Sequence, residues 1–228
     1  MRLFLLYTTA AGEKMAVREM LYIFDMGGVV TTTAAIENRI CSILGISEAE
    51  FFRFCGCTGG NESYGRPAEK SSYNPDSLDL LTLCSDGIIT AKEFWRIFSA
   101  RSGIAVQTDW WHWLFHPVRN EETCRLIEEL KACGNRVVCG TNTIDSHYMN
   151  HLERGDYAVF DQTYASCVMG VSKPNAEFWR IILTAENEAP ENTVFIDDRK
   201  TNCDAAAALG IRALRFETAP KLRGMLGL

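Results

Sequence analysis

Two patterns of apolar residues divide the chain. Leu21–Asp25 (LYIFD) is a short apolar, aromatic-rich run that ends on an acid and is followed at once by Gly27 and Gly28. A run of this length bounded by turn residues predicts a buried parallel strand whose end faces a site. From Ala34 to Phe54 apolar residues recur at helical spacing (Ile36, Ile40, Ile43, Leu44), which predicts a helix. Residues 56–76 are rich in Gly, Ser, Asn and Pro and predict a loop, followed by a short helix over Ser77–Cys84 and a turn at Ser85-Asp86-Gly87. Thr90 with Glu93 three positions on is a capping-box signature at the head of a helix over Ala91–Ser102. Aromatic residues then crowd into DWWHWLFHP, Asp109–Pro117.

Past Asn120 the pattern alternates. A helix is expected over Glu121–Cys133, closed by Gly134, then a strand over Arg136–Gly140 and a helix over Ser146–Glu153. A strand over Tyr157–Phe160, a helix over Asn175–Asn187 capped by Asn175, and a strand over Thr193–Asp197 follow. An Ala-rich helix over Thr201–Leu209, closed by Gly210, and a strand over Ile211–Phe216 complete the series. Strands alternating with helices predict an α/β fold: a Rossmann-like three-layer core with a parallel sheet. A helical cap is inserted after the first core strand. The expected division is a core of residues 20–33 and 117–228, a helical cap of residues 34–116, and an N-terminal extension of residues 1–19 outside the fold. The apolar patch Leu3–Tyr7 faintly resembles a signal peptide but is shorter than the roughly 7–15 residues of an h-region. The fold is therefore read as starting at Met20.

Composition narrows the class. The chain has 228 residues, 47% of them hydrophobic, and a net charge of −6. It is long enough to bury a core without staples. The acidic balance speaks against a nucleic-acid partner, because phosphate backbones select clustered Lys and Arg. No apolar run reaches the roughly 18–20 residues that span a bilayer, so no membrane partner is expected. The nine cysteines are odd in number, scattered and without a CxxC pair. Cys55 and Cys57 stand too close and too isolated for a zinc site. They read as reduced thiols in a cytoplasmic protein.

The chemistry gathers at strand ends. Asp25, Thr141-Asn142 and Asp197-Asp198 each close a predicted strand, where ligands of open α/β sheets bind. Three acids without a neighbouring run of Lys or Arg form a hard-oxygen cage suited to Mg²⁺. Lys173 lies in the loop VSKPN, where Pro174 restrains the chain direction. A hydroxyl, an amide and a lysine converging near a metal are what a phosphoryl group requires. Singly, each group has a plainer reading as turn residue, helix cap or solvated charge. Their joint order points to a site.

Four segments in that order carry a resemblance: FDMGGVV (Phe24–Val30), VVCGTN (Val137–Asn142), Lys173 in GVSKP, and VFIDDRKTN (Val194–Asn202). The chain resembles the haloacid dehalogenase-like hydrolase superfamily, with a type-one helical cap, from about Met20 to Phe216. The resemblance implies that Asp25 is the nucleophile and forms an aspartyl-phosphate that water hydrolyses. It implies that Lys173 neutralises charge between nucleophile and phosphate, and that Thr141 and Asn142 hold phosphoryl oxygens. The implied Mg²⁺ ligands are Asp25, the backbone carbonyl of Gly27, Asp197 and Asp198, with Asn202 orienting a metal-bound water. The implied activity is Mg²⁺-dependent hydrolysis of a small phosphorylated metabolite. The oligomeric state is unknown.

Gly27 departs from the pattern. Phosphatases of the superfamily usually carry a second Asp there, which protonates the leaving oxygen and then activates water. Such help is worth about 10²–10⁴-fold. The FDxG form resembles a bacterial subgroup that includes sugar-phosphate phosphatases of the glucose-1-phosphate type, whose leaving groups depart more readily. Alternatively, another group supplies the proton: Thr31, Thr32 or Thr33, or a cap residue such as Glu62, Tyr64 or His112. A third reading is a phosphate- and Mg²⁺-binding protein with weak or no turnover. Carbon–halogen hydrolysis needs no Mg²⁺, so the pair Asp197-Asp198 argues against it. Asn61, Tyr64 and Arg66 are candidate substrate contacts in the cap loop. Trp110, Trp111 and Trp113 are read as packing where cap meets core. The helical pairs His112/His116 and His147/His151 are read as solvated faces rather than metal ligands.

Overall fold

The computed structural model describes residues 6–8, 14–16, 19–32, 36–57 and 79–228. Strands β1 (Leu6–Thr8) and β2 (Lys14–Ala16) pair antiparallel as a ribbon separate from the main sheet. Strand β3 (Leu21–Phe24) leads into helices α1 (Glu37–Leu44), α2 (Glu48–Cys55), α3 (Leu80–Ser85), α4 (Ala91–Ser102) and α5 (Trp110–Leu114). Then follow α6 (Glu121–Ala132), β4 (Arg136–Thr141), α7 (Asp145–Glu153), β5 (Gln162–Ala165), α8 (Ser166–Met169) and α9 (Ala176–Glu186). The chain ends with β6 (Thr193–Asp197), α10 (Lys200–Ala207), β7 (Arg212–Arg215) and α11 (Ala219–Leu226).

The main sheet is parallel throughout, in the order β5-β4-β3-β6-β7. β3 is central because both of its faces are apolar. Leu21 and Ile23 pack with Phe178, Trp179 and Ile182 of α9 on one face. Phe24 packs with Leu126, Ile127 and Leu130 of α6 and Leu222 of α11 on the other. This is the predicted α/β sandwich. From β3 the chain proceeds to β4 and β5 on one side, then returns to β6 on the other. The crevice beyond β3 and β6 is therefore a topological switch point, where such sheets bind ligands.

The helices between β3 and β4 bury a cluster of their own, centred on Phe51, Phe94, Phe98 and Trp111. The chain leaves and re-enters the sheet side by side: Thr32 N–H donates to the Val118 carbonyl and Asn120 N–H to that of Val30. Asp145 at the head of α7 accepts from Ala91 N–H at the head of α4, and Asp109 takes bonds from both Trp95 Nε1 and Ser146 Oγ. Gly87 presses on α8 so closely that a Cβ would lie 2.0 Å from the Cys167 carbonyl.

Three local expectations change. The helix expected over 34–54 is two helices. Gly45 ends α1 in the left-handed region at φ 68°, and Ser47 with Glu50 closes a capping box that starts α2. The strand expected at Tyr157–Phe160 is a 3₁₀ turn over Asp156–Val159, and the edge strand is β5, later in the chain. Gly155 at φ 70° opens that turn, and Tyr157, Val159 and Phe160 bury against the α6 face of the sheet without strand geometry. Helices α8 and α11 have no counterpart in the sequence reading. Thr90 and Glu93 form their capping box, and Asn175 caps α9, as the sequence predicts.

Candidate active site

The site forms where β3, β4 and β6 end. Asp25 follows β3, and its N–H donates to the Ile196 carbonyl of β6 at 2.8 Å, so its backbone is tied to the neighbouring strand. Its Oδ1 accepts from Met26 N–H at 2.8 Å and from Lys173 Nζ at 2.8 Å. Both donors reach the same oxygen, which leaves Oδ2 without either. Lys173 is 1% exposed. Its ammonium also donates to Asp197 Oδ2 and to the Gly140 carbonyl, each at 2.8 Å. A buried ammonium with three oxygen partners is fully satisfied, which is the condition for burying such a charge.

Asn142 fixes that lysine. Its Oδ1 accepts from Lys173 N–H and its Nδ2 donates to the Lys173 carbonyl, both at 2.8 Å. The side chain expected to touch phosphate thus also holds the lysine loop, through its oxygen and one of its two N–H groups, while lining the cavity. Thr141, 3% exposed, remains beside the cavity.

The three acids come together as expected: one carboxylate oxygen each from Asp25, Asp197 and Asp198 lies within 4.8 Å of the others. Their situations differ. Asp197 is wholly buried and accepts from Lys173 Nζ, Arg199 N–H and Asn202 Nδ2. Asp198 and Asp25 line the cavity. A set of hard oxygens around one point suits a cation of the Mg²⁺ class. Asn202 meets the cavity too, but its amide is aimed at Asp197 rather than left free.

Electrostatics follow this layout. Burial pushes the Asp25 carboxyl up to about 7, Lys173 opposes that, and Asp197 adds to it. Burial and then Asp197 raise Asp198 in the same way. Burial alone would lower the Lys173 ammonium, but the charges of Asp197 and Asp25 outweigh it and the net shift is upward. The lysine is therefore a fixed cation facing the Asp25 and Asp197 carboxylates.

The cavity has a volume of about 320 Å³. Gly27 lines it, and a Cβ at Gly27 would meet nothing within 4 Å, whereas one at Gly28 (φ +79°) would lie 2.5 Å from Asp198 Oδ2. The open space at Gly27 is where a longer side chain would stand. Thr31 and Thr32 also reach the cavity, with Thr31 Oγ1 donating weakly to the Met26 carbonyl and Thr32 Oγ1 accepting from Val118 N–H.

The remaining wall comes from residues the sequence reading did not place there: Glu37, Phe115, Thr143, His147, His151 and Arg199. Arg199 was within reach of motif reasoning, since it follows Asp198. The others carry no signal in spacing. His147 and His151 are not a solvated face. The His147 ring stacks on Phe115 at 3.8 Å, its Nε2 is buried, and burial lowers it to about 3. His151 is buried against Asp156, with Nδ1 2.9 Å from Oδ2. His112 pairs with Glu153 and the Ser146 carbonyl, away from the cavity wall. Trp111 is buried in the helical cluster, as expected for packing, with Trp110 partly buried against it; Trp113 is 66% exposed and meets the edge of the His112 ring rather than the core. Thr33, Asn61, Glu62, Tyr64 and Arg66 lie outside the described residues. The cysteines are unpaired, and Cys41, Cys55, Cys84, Cys124, Cys139 and Cys203 are buried as small apolar groups.

Comparison with known proteins agrees with this geometry. The model of a haloacid dehalogenase-like hydrolase family matches residues 20–210. A sesquiterpene phosphatase of Aspergillus oryzae is 32% identical over 108 residues, 45% of this chain and 55% of that protein. A GMP/IMP nucleotidase of Escherichia coli is 33% identical over 104 residues, 45% of this chain and 47% of its own length. The chain thus spans about half the length of these curated relatives. A family enzyme from Bacteroides thetaiotaomicron, solved with magnesium and inorganic phosphate, superposes with a TM-score of 0.65 at 22% identity, over 88% of this chain and 95% of that one. A hydrolase from Porphyromonas gingivalis gives 0.69 at 20% identity, over 91% and 98%. Among the described residues no helix is long and apolar enough to cross a membrane. The matched model and the strand-end acids around Lys173 together place the chain in the haloacid dehalogenase-like hydrolase family.

Proposed function

We propose that the protein is a Mg²⁺-dependent phosphatase that acts on a small phosphorylated metabolite through an aspartyl-phosphate on Asp25. One observation carries this reading: Lys173 Nζ bridges Asp25 Oδ1 and Asp197 Oδ2 at 2.8 Å each, at the wall of a cavity that also shows Thr141 and Asp198. Asp25 and Asp198 are the cavity-side ligands for the cation, with the Gly27 carbonyl beside them, and Asp197 acts from behind as the counter-ion of Lys173. The bound cation supplies charge neutralisation at the phosphoryl oxygens. Asp25 Oδ2, free of donors among the described residues, attacks phosphorus. Lys173 screens the approach of carboxylate and phosphate, and Thr141 Oγ1 donates to a phosphoryl oxygen. Asn142 and Asn202 position Lys173 and Asp197. Water then attacks phosphorus and releases Asp25.

In this reading residues 20–33 and 117–228 form the catalytic core, residues 34–116 form a cap that selects the organic part, and residues 1–19 stand outside both. The relatives' names, a sesquiterpene phosphatase and a nucleotidase, support a phosphorylated substrate and leave the organic part open. The glycine at position 27 supports a substrate with a good leaving group, such as a sugar 1-phosphate. The unpaired thiols support a reducing, cytoplasmic setting.

The empty space at Gly27 also favours a second reading, a protein that binds phosphate and Mg²⁺ with little turnover. Phosphate release from a panel of aryl, acyl and sugar phosphates, with Mg²⁺ and an Asp25→Asn control, decides between them. Turnover abolished in the control supports the phosphatase. Mg²⁺-dependent binding of a phosphate analogue with no turnover supports the second reading.

A further inference from the structure

The cavity holds a carboxyl that no motif accounts for. Glu37 stands in the first turn of α1 and lines the same cavity as Asp25, Gly27 and Lys173. Among the described residues its carboxylate accepts from the N–H groups of Ile36 and Glu37 itself, and no side chain pairs with it. Burial pushes its carboxyl above the ordinary range, the two N–H groups oppose that, and Glu48 adds to it. We propose that Glu37 is the general acid and base of this enzyme, serving from the helical segment the role that Gly27 cannot. The inference rests on the phosphatase reading above.

The other groups at the cavity fit the role less well. His147 is too depressed to hold a proton to give. His151 is committed to Asp156. Thr31 and Thr32 are hydroxyls, weak acids near pH 7. Arg199 does not release its proton. Asp198 belongs to the cation.

The bond from Asp25 Oδ2 to phosphorus forms while the bond from phosphorus to the substrate oxygen breaks, and the leaving oxygen takes the proton of Glu37. The alcohol departs and Glu37 becomes a carboxylate. Glu37 then takes a proton from water as the water oxygen bonds to phosphorus and the Asp25–phosphorus bond breaks. Inorganic phosphate leaves, and both carboxyls return to their starting states.

A proton donor matters most when the leaving group is poor. Glu37→Gln is therefore compared with the wild type on 2,4-dinitrophenyl phosphate and on an alkyl phosphate such as glycerol phosphate, with saturating Mg²⁺. The kcat/KM for the alkyl ester is expected to fall about 10²–10⁴-fold, and that for the dinitrophenyl ester by less than about threefold. The basic limb of the alkyl pH profile, set by Glu37 amid Glu48 of α2, Asp25, Lys173 and Asp198 of the core and His147 of α7, is expected to vanish. Adding Gly27→Asp to Glu37→Gln is expected to restore alkyl turnover. Circular dichroism checks folding, and Glu37→Asp, which keeps a carboxyl, is expected to retain alkyl turnover above that of Glu37→Gln. Equal losses on both esters, or no loss on the alkyl ester, overturn the assignment while leaving the phosphatase intact. If the wild type shows no turnover dependent on Asp25, the phosphatase reading falls and this assignment with it.

Discussion

Asn142 grips the main chain of Lys173 from both sides, accepting from its N–H and donating to its carbonyl at 2.8 Å each. The lysine loop comes from a different part of the sequence than β4, so this amide is what registers Nζ against Asp25. Asn142→Ala removes both bonds, at a cost of about 1–3 kcal/mol in stability. Urea denaturation measures that. The same variant is expected to lower kcat by at least about tenfold with a smaller change in KM, because a misplaced Lys173 weakens the transition state.

Lys173 stands between two buried acids, Asp25 and Asp197, with its ammonium 2.8 Å from each. Lys173→Met leaves both buried acids without a countercharge, and the expected loss of stability is about 3–5 kcal/mol. Adding Asp197→Asn removes one of the stranded charges. The double variant is expected to be more stable than Lys173→Met alone in thermal unfolding, although inactive.

Gly27 and Gly28 are adjacent and respond oppositely. A Cβ at Gly27 meets nothing within 4 Å, so Gly27→Ala is expected to change the melting temperature little. Gly28 adopts φ +79°, and a Cβ there would strike Asp198 Oδ2 at 2.5 Å. Gly28→Ala is expected to destabilise by about 1 kcal/mol or more and to weaken Mg²⁺ binding. Calorimetric titration with Mg²⁺ separates the two variants.

His147 carries a pH signature. Its folded value is lowered to about 3 from 6.5 by burial, with His151 adding to that and the Trp111 carbonyl opposing it. Between those values the unfolded chain binds a proton that the folded chain refuses. Stability from this residue is therefore present above pH 6.5 and is lost as pH falls toward 3, with a slope of at most about 1.4 kcal/mol per pH unit. His147→Gln removes the group, so its stability is expected to fall less steeply over that window. Urea titrations at several pH values test the difference in slope.

The sequence by itself determined the alternation of strands and helices, the capping boxes and the order of acids at strand ends. These are local matters: Thr90 with Glu93, Asn175, and the apolar run before Asp25 act over a few residues. The box of Ser47 and Glu50 was equally local and readable, yet helical periodicity on both sides concealed the break at Gly45. Tyr157–Phe160 misled because an apolar run reports burial and not backbone shape, and Gly155 turned it into a 3₁₀ turn. What only the tertiary structure decided is which polar groups are spent on one another. Asn142 serves Lys173, Asp197 faces inward and Asp198 outward, His147 is buried on Phe115, and Glu37 meets the cavity. Each depends on contacts between segments far apart in the chain, where burial and pairing rather than residue type set what a side chain can do.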